Sequence, residues 1–138
     1  MNGVSMHRDL EELIEGFEYL DDWEDRYAYL IDLGKQLDGL PDELKTDAHL
    51  VRGCTSQVWL VHEVEQDRLI LRADSDAFIV RGLVAILLSA YSGKTREEIN
   101  EIELEQLFKR IGLERNLSVS RRNGFASMIQ HVKKWAEV

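Results

Sequence analysis

Leu10, Leu13, Ile14, Phe17 and Leu20 recur at i, i+3, i+4, i+7 and i+10, with Glu11, Glu12, Glu15 and Glu18 between them. That spacing predicts an amphipathic helix with one apolar stripe and an acidic outer face. Trp23, Tyr27, Leu30, Ile31 and Leu37 repeat it after Asp21 and Asp22, either of which can cap a second helix through its carboxylate. Gly39-Leu40-Pro41-Asp42 ends this helix, because proline has no N–H to donate and restricts the residue before it. Two antiparallel helices are expected in the first third of the chain.

The pattern then becomes strand-like. Val58-Trp59-Leu60-Val61-His62-Glu63-Val64 is rich in β-branched and aromatic residues, Glu65-Gln66-Asp67-Arg68 reads as a turn, and Leu69-Ile70-Leu71-Arg72-Ala73 returns. With a short strand before Cys54 this predicts a small antiparallel sheet of about three strands, which covering helices would stabilise beyond a bare hairpin. Past Asp74-Ser75-Asp76, the positions Ile79, Val80, Leu83, Val84, Ile86, Leu87 and Ala90 are too dense for a surface helix, so a helix buried on most sides is expected, stopped by Ser92-Gly93.

Thr95 and Glu98 have capping-box spacing. Leu104, Leu107, Phe108 and Leu113 suit packing from short helical turns. Phe125, Met128, Ile129, Val132 and Trp135 define a last helix with Lys133 and Lys134 near its negative end. The expected fold is α+β, one domain over residues 1–138, with helices segregated against an antiparallel sheet.

Composition changes this picture little. An apolar fraction of 44% in 138 residues supports a core without disulfides or metals. The longest apolar run, around Gly82 to Ala90, is about half a membrane span. Met1 to Arg8 lacks the apolar centre of a secretory signal, and both Met1 and Met6 are candidate starts. With a single cysteine, these features point to a reducing cytoplasm.

Charge is more informative. The net −9 is unevenly placed: residues 1–50 hold 14 acidic and 4 basic side chains, whereas residues 51–138 hold 12 and 13. The acidic half disfavours nucleic acid, whose binding needs phosphate neutralisation, and suits either plain solubility or the steering of a basic protein patch.

The candidate chemistry centres on Cys54. Gly53 before it permits a sharp turn, and Arg52, two residues back, is a candidate cation for lowering the thiol pKa. From residue types alone, a buried inert thiol and a reactive loop thiol both remain open. Cysteine–histidine catalysis would draw on His49 or His62, with His7 and His131 near the ends, yet no nucleophile-elbow or protease-like pattern surrounds the cysteine. Zinc-ligand spacing, a CxxC pair and a phosphate-binding glycine loop are also absent from the sequence.

Three blocks carry a resemblance. Gly53-Cys54-Thr55-Ser56-Gln57-Val58-Trp59, then Asp74-Ser75-Asp76-Ala77-Phe78-Ile79-Val80-Arg81-Gly82-Leu83, then Leu117-Ser118-Val119-Ser120-Arg121-Arg122-Asn123-Gly124-Phe125 with Met128-Ile129, resemble the SufE family in order and spacing. Trp23-Glu24-Asp25-Arg26-Tyr27 extends the likeness over nearly the whole chain. The departures are Val119, where proline is expected, and Phe125, where leucine is common.

The resemblance implies a SufE/IscU-like fold and a sulfur relay. Cys54 would take the terminal sulfur of a persulfide from a pyridoxal-phosphate cysteine desulfurase of the SufS or CsdA kind, stimulating it. It would then pass the sulfur to a SufBCD-like scaffold for iron–sulfur clusters. No cofactor or metal of its own is implied, because the desulfurase holds the pyridoxal phosphate. A lone thiol suits the task, since a resolving cysteine would discharge the persulfide as a disulfide.

Arg52, Gly53, Gln57, Asp76 and Arg121 are the implied supporting or partner-binding residues. Each also has a local alternative: Asp76 as cap of the buried helix, Arg121 in the first turn of the last helix, and Gln57 as a strand-start residue. The Asp74–Asp76 pair is better suited to capping than to acid–base work. Trp59 reads as core, and Gly82, costing about 1 kcal/mol against alanine in a helix, as a close contact with the sheet or cysteine loop. A sheltered Cys54 thiol, drawn out by its partner, follows from the apolar Val51, Val58 and Trp59 around a glycine hinge.

Neither nucleic acid nor a membrane is expected as a partner, while a homodimer stays open. The rivals are a related carrier delivering sulfur to RNA or cofactor thiolation, a cysteine-dependent hydrolase or thiol peroxidase, and a purely structural module.

Overall fold

A computed structural model describes residues 10–54 and 56–137; the expectations for Met1, Met6, His7 and Thr55 lie outside the described residues. The two leading helices are α1, Leu10–Tyr19, and α2, Trp23–Lys35. Leu13, Ile14 and Phe17 form the buried stripe of α1. Asp22, rather than Asp21, caps α2, its carboxylate accepting from the Glu24 amide at 3.1 Å. The second helix stops at Lys35, so Leu37 packs against the core from the loop beyond it.

Two single 3-10 turns, Asp42–Leu44 and Asp47–His49, lead to the hairpin of β1, Val58–Glu65, and β2, Arg68–Ser75. The strands are in register from Val58 opposite Ser75 to Glu65 opposite Arg68. Gln66 and Asp67 join them with φ of 52° and 66°, the left-handed pair that a two-residue hairpin turn demands.

The sheet has three strands in the order β1-β2-β3, but its third strand lies elsewhere than expected. It is β3, Lys94–Thr95, paired with Leu69 and Arg68 of β2. Before Cys54 there is only a one-residue bridge between Leu50 and Trp59. A loop that must turn sharply at Gly53 a few residues later leaves no length for a strand there.

The helix α3, Phe78–Tyr91, is buried at most positions. Gly82 of α3 meets α2 rather than the sheet or the cysteine loop: a Cβ there would collide with the carbonyl oxygen and side chain of Leu30, and one on Gly34 would lie 2.8 Å from the Gly82 nitrogen. The two glycines let the helix backbones approach closely. Next come α4, Arg96–Glu101, with the expected Thr95–Glu98 capping box, and the short α5, Leu104–Arg110, and α6, Leu113–Asn116. The last helix, α7, Val119–Ala136, is capped by Ser118.

Helices and the inner sheet face share one apolar core that includes Phe17, Leu30, Leu60, Leu71, Leu83, Leu87, Phe125 and Ile129. Trp59 is buried at 8% exposure on the other sheet face, with the Lys45 ammonium over its ring. Beside it Asp74 is buried, accepting from the Leu40 and Ser75 amides and paired with Lys45 and Arg81. Arg81 also donates to the carbonyls of Gly34 and Leu37. The cluster fastens the chain after α2 to the sheet.

Candidate functional site

The cysteine segment is a short loop tied at both limbs. The Val51 amide donates to the Val58 carbonyl at 2.8 Å, closing its base next to the Leu50–Trp59 bridge. Its far limb is held by the end of β2 and the link to α3: the Ser75 hydroxyl and the Asp76 amide donate to the Gln57 carbonyl, and the Gln57 amide donates to Asp76 Oδ1 at 3.2 Å. Asp76 therefore does not cap α3, whose cap position is Ala77 without a side-chain bond. Gly53 bends the near limb with φ of 90°, and a Cβ on it would lie 2.5 Å from Ser127 Oγ of α7.

This bend lays Cys54 on α7. The thiol is half-buried and donates to the Gly124 carbonyl at 3.4 Å, a weak bond. A Cβ on Gly124 would sit 3.4 Å from the sulfur, so the absence of a side chain there makes the seat. Beside the thiol is a small pocket of about 20 Å³, the scale of one water-sized group. Val80, Leu83 and Met128 supply its apolar wall, and Ser56, Ser120 and Arg121 its polar one. Burial pushes the Cys54 thiol above its ordinary value, and among the described residues no cation counteracts it.

That result corrects the expectation for Arg52. Its side chain is exposed and lines a groove shared with the other flank of α7, so sequence adjacency does not make it the thiol's activator. Arg121, 67 positions along the chain, is the cation that shares the thiol's pocket, and its Nη1 also reaches the Tyr27 hydroxyl at 3.5 Å. Its amide is meanwhile the one capped by Ser118.

The structure thus brings Cys54, Gly53, Gln57, Asp76 and Arg121 to one locality, with Asp76 and Gln57 acting through the loop's backbone. Asp74 belongs to the buried ion cluster and forms no acid–base pair with Asp76. His49 bonds the Leu44 carbonyl and Thr46, and among the described residues no histidine hydrogen-bonds Cys54. Likewise, among those residues no group of three or more His, Cys, Asp or Glu could hold a metal ion, and no helix is long and apolar enough to cross a membrane.

Sequence reasoning missed Gly124 as the thiol's seat, and it missed two exposed apolar residues at the starts of the helices that line the pocket. Phe78, 67% exposed, opens α3, and Val119, 60% exposed, opens α7. The turns that follow each of them line the Cys54 pocket.

A family model described as the SufE Fe-S metabolism associated domain matches residues 11–136. The chain belongs to the SufE family. Among SufE-family relatives, it is 47% identical over 133 residues to an uncharacterized SufE-like protein of Rhizobium etli, covering 94% of this chain and 90% of that one. It is 43% identical over 123 residues to the sulfur acceptor protein CsdE of Escherichia coli K12, covering 88% and 84%. The fold is similar to the solution structure of a hypothetical protein from Thermus thermophilus, with a TM-score of 0.74, 19% identity and 92% of each chain covered.

Proposed function

We propose that this chain is a sulfur acceptor and carrier, working in the cytoplasm as one domain over residues 1–138, with Cys54 as the covalent acceptor. The observation that carries this reading is the seat of Cys54: a half-buried thiol, on a loop pinned at its base, whose own bond to the Gly124 carbonyl is weak. The likeness to the sulfur acceptor CsdE and the family's link to Fe-S metabolism support the same chemistry.

The Cys54 thiolate attacks the terminal sulfur of a cysteine persulfide on a pyridoxal-phosphate desulfurase. A new Cys54 sulfur–sulfur bond forms, the desulfurase's own bond breaks, and its cysteine leaves as a thiolate ready for another turn. Clearing that cysteine is how the carrier stimulates the desulfurase. The same exchange in reverse sense, with an acceptor thiol on a SufBCD-like scaffold attacking, delivers the sulfur for iron–sulfur cluster assembly.

In the resting protein, burial keeps the thiol protonated. Withdrawal from Gly124 removes that desolvation and lets the thiol return toward its ordinary range, so reactivity rises with docking. Gly53 serves as hinge, while Asp76 holds the loop's far limb through Gln57. Phe78 and Val119 form the apolar rim that meets the desulfurase, with Arg121 beside the pocket that shelters the transferred sulfur.

The test is intact-protein mass spectrometry after incubation with cysteine and a desulfurase. A gain of one sulfur atom on Cys54, removed by reductant and lost in Cys54→Ser, is the expected result. No gain with SufS- and CsdA-type desulfurases from the host organism would overturn the reading.

A further inference from the structure

The Cys54 loop straddles α7. The thiol lies over the stripe of Arg121, Gly124 and Met128, while the near limb, Leu50 to Arg52, forms one wall of an open groove of about 420 Å³ on the neighbouring stripe. Ala126, Ser127, Gln130, His131 and Lys134 make the opposite wall. Among the described residues no carboxylate lines this groove, although the chain as a whole carries −9.

Its charges are all of one sign. Among the described residues, neither Arg52 nor Lys134 makes an ion pair. His131 is pushed below the ordinary histidine range by burial and by His62 and Lys134, so the charged groups acting on it are cationic too. A protein surface that gathers like charges without counter-charges favours an anionic partner.

The shape favours an extended partner over a small anion. Ala126 to Lys134 spans about 12 Å of helix, a length that about four residues of extended peptide cover. A single phosphate that paired with Arg52 or Lys134 alone would leave the other unpaired. We propose that this groove seats an acidic peptide segment of a partner protein, giving the molecule a second docking surface on the flank of the Cys54 loop opposite the thiol. The site goes beyond the sulfur-carrier reading and stands or falls without it.

The probe is an N-acetylated hexaglutamate peptide, titrated into the full-length, 15N-labelled protein at low salt and followed by amide chemical shifts. Saturable shifts confined to Leu50–Arg52 and Ala126–Lys134 are expected. Arg52→Glu with Lys134→Glu should weaken binding about tenfold or more, with the rest of the spectrum unchanged. If that double variant fails to fold, Arg52→Gln with Lys134→Gln should show the same direction.

Unchanged binding in the folded variant, or shifts centred on other basic residues such as Arg121 and Arg122, would overturn the proposal. So would inorganic phosphate occupying the groove as tightly as the peptide, which marks a small-anion site. Concentration-dependent groove shifts without peptide would overturn it too, assigning the groove to a second copy of this chain. None of these outcomes touches persulfide formation at Cys54, so failure here leaves the carrier reading intact.

Discussion

Cys54 and Gly124 stand 70 positions apart in the chain, yet the thiol of one donates to the backbone carbonyl of the other at 3.4 Å. The glycine leaves the thiol room, since a Cβ on Gly124 would come to 3.4 Å from the sulfur, the near limit of ordinary contact. It parks the thiol against a helix with, among the described residues, no side-chain hydrogen bond to hold it, and the first two predictions follow from that.

In the free protein, alkylation of Cys54 by iodoacetamide should be slow at pH 8 and accelerate only above the ordinary thiol value of 9.0, because burial raises the thiol pKa. The folded value exceeds the unfolded one, so the associated stability is complete below the ordinary thiol range and is lost as pH rises through the raised value. Full reactivity should return in urea. A pH–rate profile for the native protein that matches the urea-unfolded chain would contradict the buried seat.

Gly124→Ala separates seat from scaffold. Alanine is favoured over glycine within a helix by about 1 kcal/mol, and the new 3.4 Å contact with Sγ offsets part of that. The expected outcome is an unchanged or slightly raised thermal midpoint together with severalfold faster Cys54 alkylation. A fall in stability with unaltered alkylation would mean that α7, and not the thiol, needs the glycine.

Asp74 is predicted to be the most sensitive charge in the molecule. Burial opposes its ionisation, but the amides of Leu40 and Ser75, with Arg81 and Lys45, outweigh this and hold the carboxyl below its ordinary 3.8. Its contribution is therefore complete above that value and lost as pH falls through the lowered one. Asp74→Asn leaves Arg81 without its anion and Lys45 with only the exposed Asp42 carboxylate, and should cost about 3 kcal/mol in urea denaturation at pH 7. The variant's stability should also change less than the wild type's between pH 5 and pH 2.

Gly82→Ala should destabilise by about 2–3 kcal/mol, because the added methyl meets the Leu30 carbonyl, which belongs to helix backbone and cannot turn aside. Ala85→Gly, one turn along the same helix, should cost only about 1 kcal/mol through helix propensity. Equal costs in urea titrations of the two variants would deny the close approach of α2 and α3.

What was legible in the sequence was whatever local spacing or turn chemistry encodes. The stripe of α1, an aspartate cap at Asp21 or Asp22, the Gln66–Asp67 turn and the Thr95–Glu98 box all belong to that class. The third strand was misplaced because Lys94–Thr95 is two polar residues long and exists only by pairing with β2. At the site, residue type singled out Cys54, and the resemblance drew Arg121 and Asp76 to it. Arg52 misled because neighbours along a sharply bent chain point apart, whereas the α7 stripe that meets the thiol is assembled by tertiary packing alone.

The bond between the Val51 amide and the Val58 carbonyl limits how far the cargo can travel. Three Cα–Cα steps lead from Val51 to Cys54, so the swinging sulfur has a tether of about 10 Å at full stretch. A donor must offer its sulfur in a cleft no deeper than this leash, and lengthening the leash by inserted glycines would trade aim for range.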